Sequence, residues 1–251
     1  MKLNSLIIAI VFALMLIAPS AYAIPNLTGG EDNLQEILDA ITIDGDSSVD
    51  VTSDYLNDTM DSQWQLTASG GSVATIVIEI AGMANSNSFG VYNGGSMVEL
   101  FAGGDGAVDQ ITFSLLENLG TGEYYTEVNQ VQTGDVWDSQ YFGYYLKNGN
   151  GQIFYSDTSL NEDNFDHMLA YQGTGDNVQI SNGTFARPSG PWTDNEYILA
   201  WEDVFGGGDQ DYNDFVVMVE SVDPVPEPAT MLLLGSGLVG MAGLRRRKMR
   251  K

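Results

Sequence analysis

The chain has no cysteine and a single histidine, His167, in 251 residues. Without thiols there are no disulfide staples, no thiolate nucleophile and no cysteine metal ligands, and one imidazole cannot build a zinc site of the usual nitrogen and sulfur donors. A Ser-His-Asp hydrolase would have to use His167, in Asn164-Phe165-Asp166-His167-Met168, and no G-x-S-x-G elbow accompanies it. His167 reads instead as a hydrogen-bonded structural residue near Asp157 and the strand that Tyr171 ends. Paired acids for glycoside hydrolysis are too abundant to be diagnostic, so a secreted hydrolase ranks last and the protein is expected not to be an enzyme. Cations are scarce as well. Lys2 and the six Lys or Arg after Leu244 lie in the terminal segments, which leaves Lys147 and Arg187 against all 34 Asp and Glu between Ile24 and Glu227, a charge of 2 − 34 = −32. Such a field repels nucleic acid and anionic lipid and draws cations; no nucleic-acid function fits. Carboxylates with so little counter-charge are either solvated or bound to metal in a folded domain, and both readings stand at this point.

Long apolar runs are missing from the interior and present at both ends. Lys2 precedes the run Leu6 to Ala18, and Ala21-Tyr22-Ala23 has the A-x-A form of a signal-peptidase site, so residues 1–23 read as a secretory signal peptide and the mature chain starts at Ile24. At the other end a linker over 223–228 leads into Ala229 to Leu244, an uncharged segment of 16 residues, a little short of the ~17–25 that span a bilayer comfortably. The basic tail over 245–251 stays cytoplasmic by the positive-inside rule, leaving the rest of the chain across the membrane.

Pro226-Glu227-Pro228, the short hydrophobic stretch and then Arg245, Arg246 and Arg247, in that order, resemble the PEP-CTERM sorting signal of Gram-negative bacteria. The resemblance implies an exosortase as processing partner and only transient insertion of 229–244 in the inner membrane. It further implies removal of the tail and delivery of the remainder to the cell surface or an exopolysaccharide matrix.

Between the two signals the composition is that of short strands joined by many turns. Residues 24–60 read as a short helix and polar lead-in: acidic residues open a segment in which Leu34, Ile37, Leu38 and Ile41 recur at helical spacing. Residues 61–222 read as one all-β domain. Val73 to Ile80 is a β-branched run; Phe89 to Tyr92 and Met97 to Phe101 flank Asn93-Gly94-Gly95 as a hairpin. Further strands are expected near 107–116, 124–128, 141–146, 153–155, 167–171, 197–202 and 214–222, a spacing that predicts an antiparallel β-sandwich or jelly roll.

The richest chemistry lies in Trp201-Glu202-Asp203-Val204-Phe205-Gly206-Gly207-Gly208-Asp209-Gln210-Asp211-Tyr212-Asn213-Asp214-Phe215. Three glycines permit tight turns, and Asp209, Asp211, Asn213 and Asp214, with Glu202 and Asp203 across the loop, offer hard oxygen ligands suited to a structural calcium ion. Positions 209, 211 and 213 match the opening of an EF-hand loop and Glu220 falls at its twelfth position, but Asp214 replaces the glycine at the sixth and a strand pattern follows. An Asx-rich turn, with the carboxylates capping their own backbone amides, is the competing reading.

This segment, together with Phe89-Gly90-Val91-Tyr92, Phe101-Ala102-Gly103-Gly104-Asp105, Phe154-Tyr155-Ser156-Asp157 and Phe165-Asp166-His167-Met168, resembles the bacterial domain of unknown function 4114 over about Asp61 to Val222. The resemblance implies a secreted, often calcium-associated surface setting and assigns no catalytic residue. One more pattern bears on ligands. Trp137, Tyr141, Phe142, Tyr144, Tyr145, Trp192 and Tyr212 either fill the sandwich or serve as sugar-stacking platforms; a carbohydrate-binding module of the same matrix is therefore the alternative to a calcium-stabilised surface component.

Overall fold

The computed structural model describes residues 25–27, 32–43, 45–68, 71–79, 86–181, 186 and 188–226, and of strand residues 72–79 it describes the backbone alone. The expected signal peptide with Ala21 and Ala23, the sorting residues Glu227 and Pro228, the segment 229–244 and Arg245 to Arg247 lie outside the described residues; Pro226 is inside them and exposed. Among the described residues no helix is long and apolar enough to cross a membrane.

The described residues are mostly β, with fifteen strands in antiparallel pairings and two short α-helices, α1 (Leu34–Ile41) and α2 (Asp58–Asp61). A seven-stranded sheet runs β10 (Met168–Gln172), β13 (Glu196–Trp201), β14 (Phe215–Glu220), β2 (Ser72–Glu79), β5 (Gln110–Asn118), β6 (Glu123–Val128), β7 (Val131–Trp137). A four-stranded sheet runs β4 (Ser96–Phe101), β3 (Ser88–Asn93), β8 (Gly143–Lys147), β9 (Ile153–Tyr155). Two-stranded ribbons are formed by β1 (Trp64–Leu66) with β15 (Val222–Pro224) and by β11 (Asn177–Val178) with β12 (Gly190–Pro191). The predicted 93–95 hairpin is present as β3–β4, while β7 carries no clear apolar alternation (Val-Gln-Thr-Gly-Asp-Val-Trp) and was not legible in advance. The expected 214–222 strand is interrupted at Ser221, whose φ of 61° ends β14 and starts the pairing of β15 with β1.

Strands β13 and β14 are buried on both faces, which is why their sequences read as nearly unbroken apolar runs. One face, with Tyr197, Leu199, Trp201, Phe215, Val217 and Val219, meets the core that includes Phe89, Tyr144 and Trp64. Phe89 stacks on Tyr144 at 5.6 Å and on Phe215 at 5.4 Å, and Trp64 meets Tyr197 edge-on at 4.9 Å; such pairs add ~0.5–1.5 kcal/mol each beyond area burial. The opposite face, with Ile198, Ala200, Val216 and Met218, is roofed by Leu34, Ile37, Leu38 and Ile41 of α1. Asn33 starts that helix as a reciprocal cap, its side chain accepting from the Glu36 amide at 3.2 Å while Glu36 accepts from the Asn33 amide at 3.1 Å.

Trp137, Phe142, Tyr144, Tyr145, Trp192 and Tyr212 are all buried, so these six rings fill the core; of the seven aromatics considered as sugar platforms only Tyr141 is exposed, at 40%.

Candidate metal centre

The β13–β14 register closes at Trp201 opposite Phe215, and the loop 202–214 leaves from that end of the sandwich. Gly207 has φ +82°, and a Cβ there would lie 2.2 Å from the Phe165 ring, so only glycine lets that ring close over the loop. Gly208 (φ +45°) would place its Cβ 2.9 Å from Glu202 Oε2. Beyond it, Gln210 (φ 62°) and Tyr212 (φ 55°) are left-handed non-glycine residues alternating with the acids, a conformation held only where its surroundings over-determine it.

The loop brings Glu202, Asp209 and Asp211 together: one carboxylate oxygen from each lies within 4.8 Å of the others, the one such group among the described residues. That spread matches the diameter of a coordination sphere with metal–oxygen distances of about 2.4 Å, the calcium range. Glu202 is fully buried and Asp211 nearly so, while Asp209 is exposed. Glu202 Oε1 accepts from the Tyr212 amide at 2.8 Å, but Oε2 is buried and has no hydrogen-bond partner. Burial first, then the charges of Asp214, Asp211 and Asp209, push the Glu202 carboxyl up to about 8. Burial and the neighbouring Asp203, Asp211 and Asp209 push Asp214 up to about 7.

The other residues singled out from the sequence form the wall. Asp203 Oδ2 accepts from Asn87 Nδ2 at 2.9 Å and its carbonyl from Asn148 Nδ2 at 2.8 Å. Asp214 Oδ2 accepts from the Asp203 amide at 2.9 Å. Asn213 turns its amide to the Asp32 carbonyl at 2.9 Å, tying the loop to the approach of α1. Of the acids named from the sequence, Glu202, Asp209 and Asp211 converge, because the hairpin folds Glu202 across from Asp209.

His167 holds the loop from below and was expected beside Asp157; its partner is instead Asp163, whose Oδ2 lies 3.0 Å from Nε2, while Nδ1 sits 2.9 Å from the Glu202 carbonyl. The same Asp163 oxygen accepts from the Gly206 amide at 2.7 Å. Burial works against the Asp163 charge, and the Gly206 amide, His167 and the Phe165 amide outweigh it, holding the carboxyl below the usual range. The imidazole is sealed by Phe154 stacked at 3.9 Å. Asn87, Asn148 and Asp163 gave no signal in the sequence, since isolated polar residues reveal long-range partners only once folded.

Comparison with known families finds both families, the domain over a shorter span than the resemblance, which began near Asp61. Residues 106–222 match the domain of unknown function DUF4114, and residues 224–248 match the PEP-CTERM protein-sorting motif. The chain therefore carries a DUF4114 domain and, behind it, a signal for exosortase-dependent sorting to the cell envelope. No curated protein and no solved structure matches the chain.

Proposed function

We propose that this protein is a non-catalytic component of the cell surface or extracellular matrix, whose acidic β domain is completed by a calcium ion held by Glu202, Asp209 and Asp211. The observation that carries this reading is Glu202: a fully buried carboxylate with one oxygen unpartnered, facing two further acids, with no Lys or Arg ion pair among the described residues. Leaving such a group unpaired costs several kcal/mol, and a divalent cation removes the cost. Calcium suits the donors better than magnesium, which demands a tighter octahedron, or zinc, which favours nitrogen and sulfur. The exposed Asp209 leaves a route for the ion to enter. The exosortase signal supplies the destination, and the sealed position of His167 speaks against catalysis through the one imidazole.

Thermal unfolding of the mature domain with calcium and with chelator tests this. At about 100 times Kd the ion adds ~2.7 kcal/mol, or roughly 5–10 °C for a domain of this size. Asp211→Ala is expected to abolish the shift; identical melting with calcium and chelator refutes the reading.

A further inference from the structure

Two depressions lie side by side at the end of the sandwich opposite the acidic loop. The loop 202–214 is gathered at the Asn87 and Asn148 ends of β3 and β8, whereas the depressions open at their Asn93 and Gly143 ends. The first, about 270 Å³, is lined by Gln63, Tyr92, Asn93, Asp138 and Tyr141. The second, about 250 Å³, is lined by Leu66, Leu115, Glu117, Tyr124 and Gln140. They follow β1 on one side and share the segment 138–141 as the ridge between them.

Each lining sets exposed acids and amides beside an aromatic ring. The side chains of Gln63, Asp138, Gln140 and Glu117 are exposed and hold no protein hydrogen bond among the described residues. Each depression also presents an aromatic ring, Tyr141 at 40% exposure in one and the half-buried Tyr124 in the other. Flat rings beside unengaged amides and carboxylates match the alternating apolar faces and hydroxyl edges of pyranose sugars. A peptide added as a strand finds no edge here: β15 pairs with one side of β1, and on the other Trp64 exchanges both backbone hydrogen bonds with Phe142, at 2.7 and 3.0 Å. The surrounding negative charge turns away uronic and other anionic polymers.

We propose that these two depressions are adjacent subsites for a neutral or amino-sugar polysaccharide, with Tyr141 and Tyr124 as stacking surfaces and Asp138, Gln63, Glu117 and Gln140 as partners for the sugar hydroxyls. The site is independent of the cation loop, and its test separates the two. Affinity electrophoresis of the mature domain through gels containing laminarin, dextran or chitosan oligomers is expected to show retardation by at least one. Alginate and casein serve as the anionic and protein controls. Tyr141→Ala is expected to weaken retention about 10-fold and Asp138→Ala several-fold. Tyr141→Phe keeps most of it, and the wild type is retained equally with calcium and with chelator at a temperature below both melting transitions. Both Tyr141 and Asp138 are exposed, so melting temperatures stay at the wild-type value. Retardation by none of the three polymers, by alginate or casein alone, or to the same degree in wild type and the Tyr141→Ala/Asp138→Ala double variant overturns the proposal.

Discussion

The loop 102–109 and the loop 202–214 are made of the same material, glycine and aspartate between two strands, and they behave differently. In the first, Asp105 Oδ2 accepts from the Ala102 amide at 2.9 Å and Asp109 Oδ2 from the Gly106 amide at 2.8 Å, with both carboxylates open to solvent to some degree. Each acid closes its own turn, and nothing further is required. In the second, Glu202 and Asp211 are buried, one Glu202 carboxylate oxygen has no partner, and the residues around it supply more acids. Composition therefore does not separate a turn from a cation cradle; what does is whether the backbone amides nearby suffice for the oxygens.

The largest expected difference between the loops is steric. Gly207→Ala combines a left-handed backbone with a Cβ 2.2 Å from the Phe165 ring, and the two penalties together amount to ~3 kcal/mol or more, a fall in melting temperature of roughly 6–12 °C. Gly104→Ala in the other loop meets nothing within 4 Å and is expected to shift melting by less than about 2 °C. Comparable losses at both positions would mean that Phe165 does not close over the acidic loop.

Next in size is a reversal of sign. Glu202→Gln removes a buried carboxyl that the calcium-free fold has to protonate, but also removes a proposed calcium ligand. It is expected to melt above the wild type in chelator and below it in saturating calcium, with the calcium increment of ~2.7 kcal/mol largely lost. Asp105→Asn is expected to melt at one temperature, unaffected by calcium. A Glu202→Gln variant that is less stable in both buffers would contradict the cradle.

The response to pH comes third. Unfolded carboxyls titrate near 4, whereas Glu202 is raised to about 8 and Asp214 to about 7 in the fold. Over the interval between, the native state binds protons that the unfolded chain has released, so the calcium-free domain loses stability as pH rises from about 4 to 8. Calcium favours the deprotonated form, so its stabilising increment grows over the same interval. Part of the fall persists with calcium, because Asp166, raised to about 7 by burial and then by Asp58, lies outside the loop. Melting temperatures measured across that interval with and without calcium check the sign; a calcium-free domain that gains stability toward pH 8 contradicts it.

Much of this was legible in the chain. The apolar runs of β13 and β14 and the amphipathic spacing of α1 followed from local pattern, because burial of both faces makes a strand continuously apolar and burial of one face gives a helix its apolar stripe. The acidic loop was legible as a hydrogen-bonding and ligand problem, since oxygen donors and glycines cluster within one hairpin. Which oxygens converge was not, because Glu202 reaches Asp209 only through the hairpin register, and the supports at Asn87, Asn148 and Asp163 come from elsewhere in the chain. The fate of the aromatics was also hidden: a ring in a short segment carries no mark of which side it takes, and just ahead of β8 Tyr141 is exposed while Phe142 beside it is buried.

The smallest effect belongs to the loop that looks most like its neighbour. Asp105→Ala and Asp109→Ala each remove one carboxylate-to-amide bond at a solvated turn, and the freed amides at Ala102 and Gly106, both exposed, turn to water. The loss is ~0.5–1.5 kcal/mol per bond, a fall of a few degrees at most, equal in calcium and in chelator. Amide hydrogen exchange is expected to quicken at residues 102 and 106 in the matching variant and to remain at wild-type rates over 202–214. If either variant instead weakens the calcium response, the two loops are coupled and the acidic loop does not act alone.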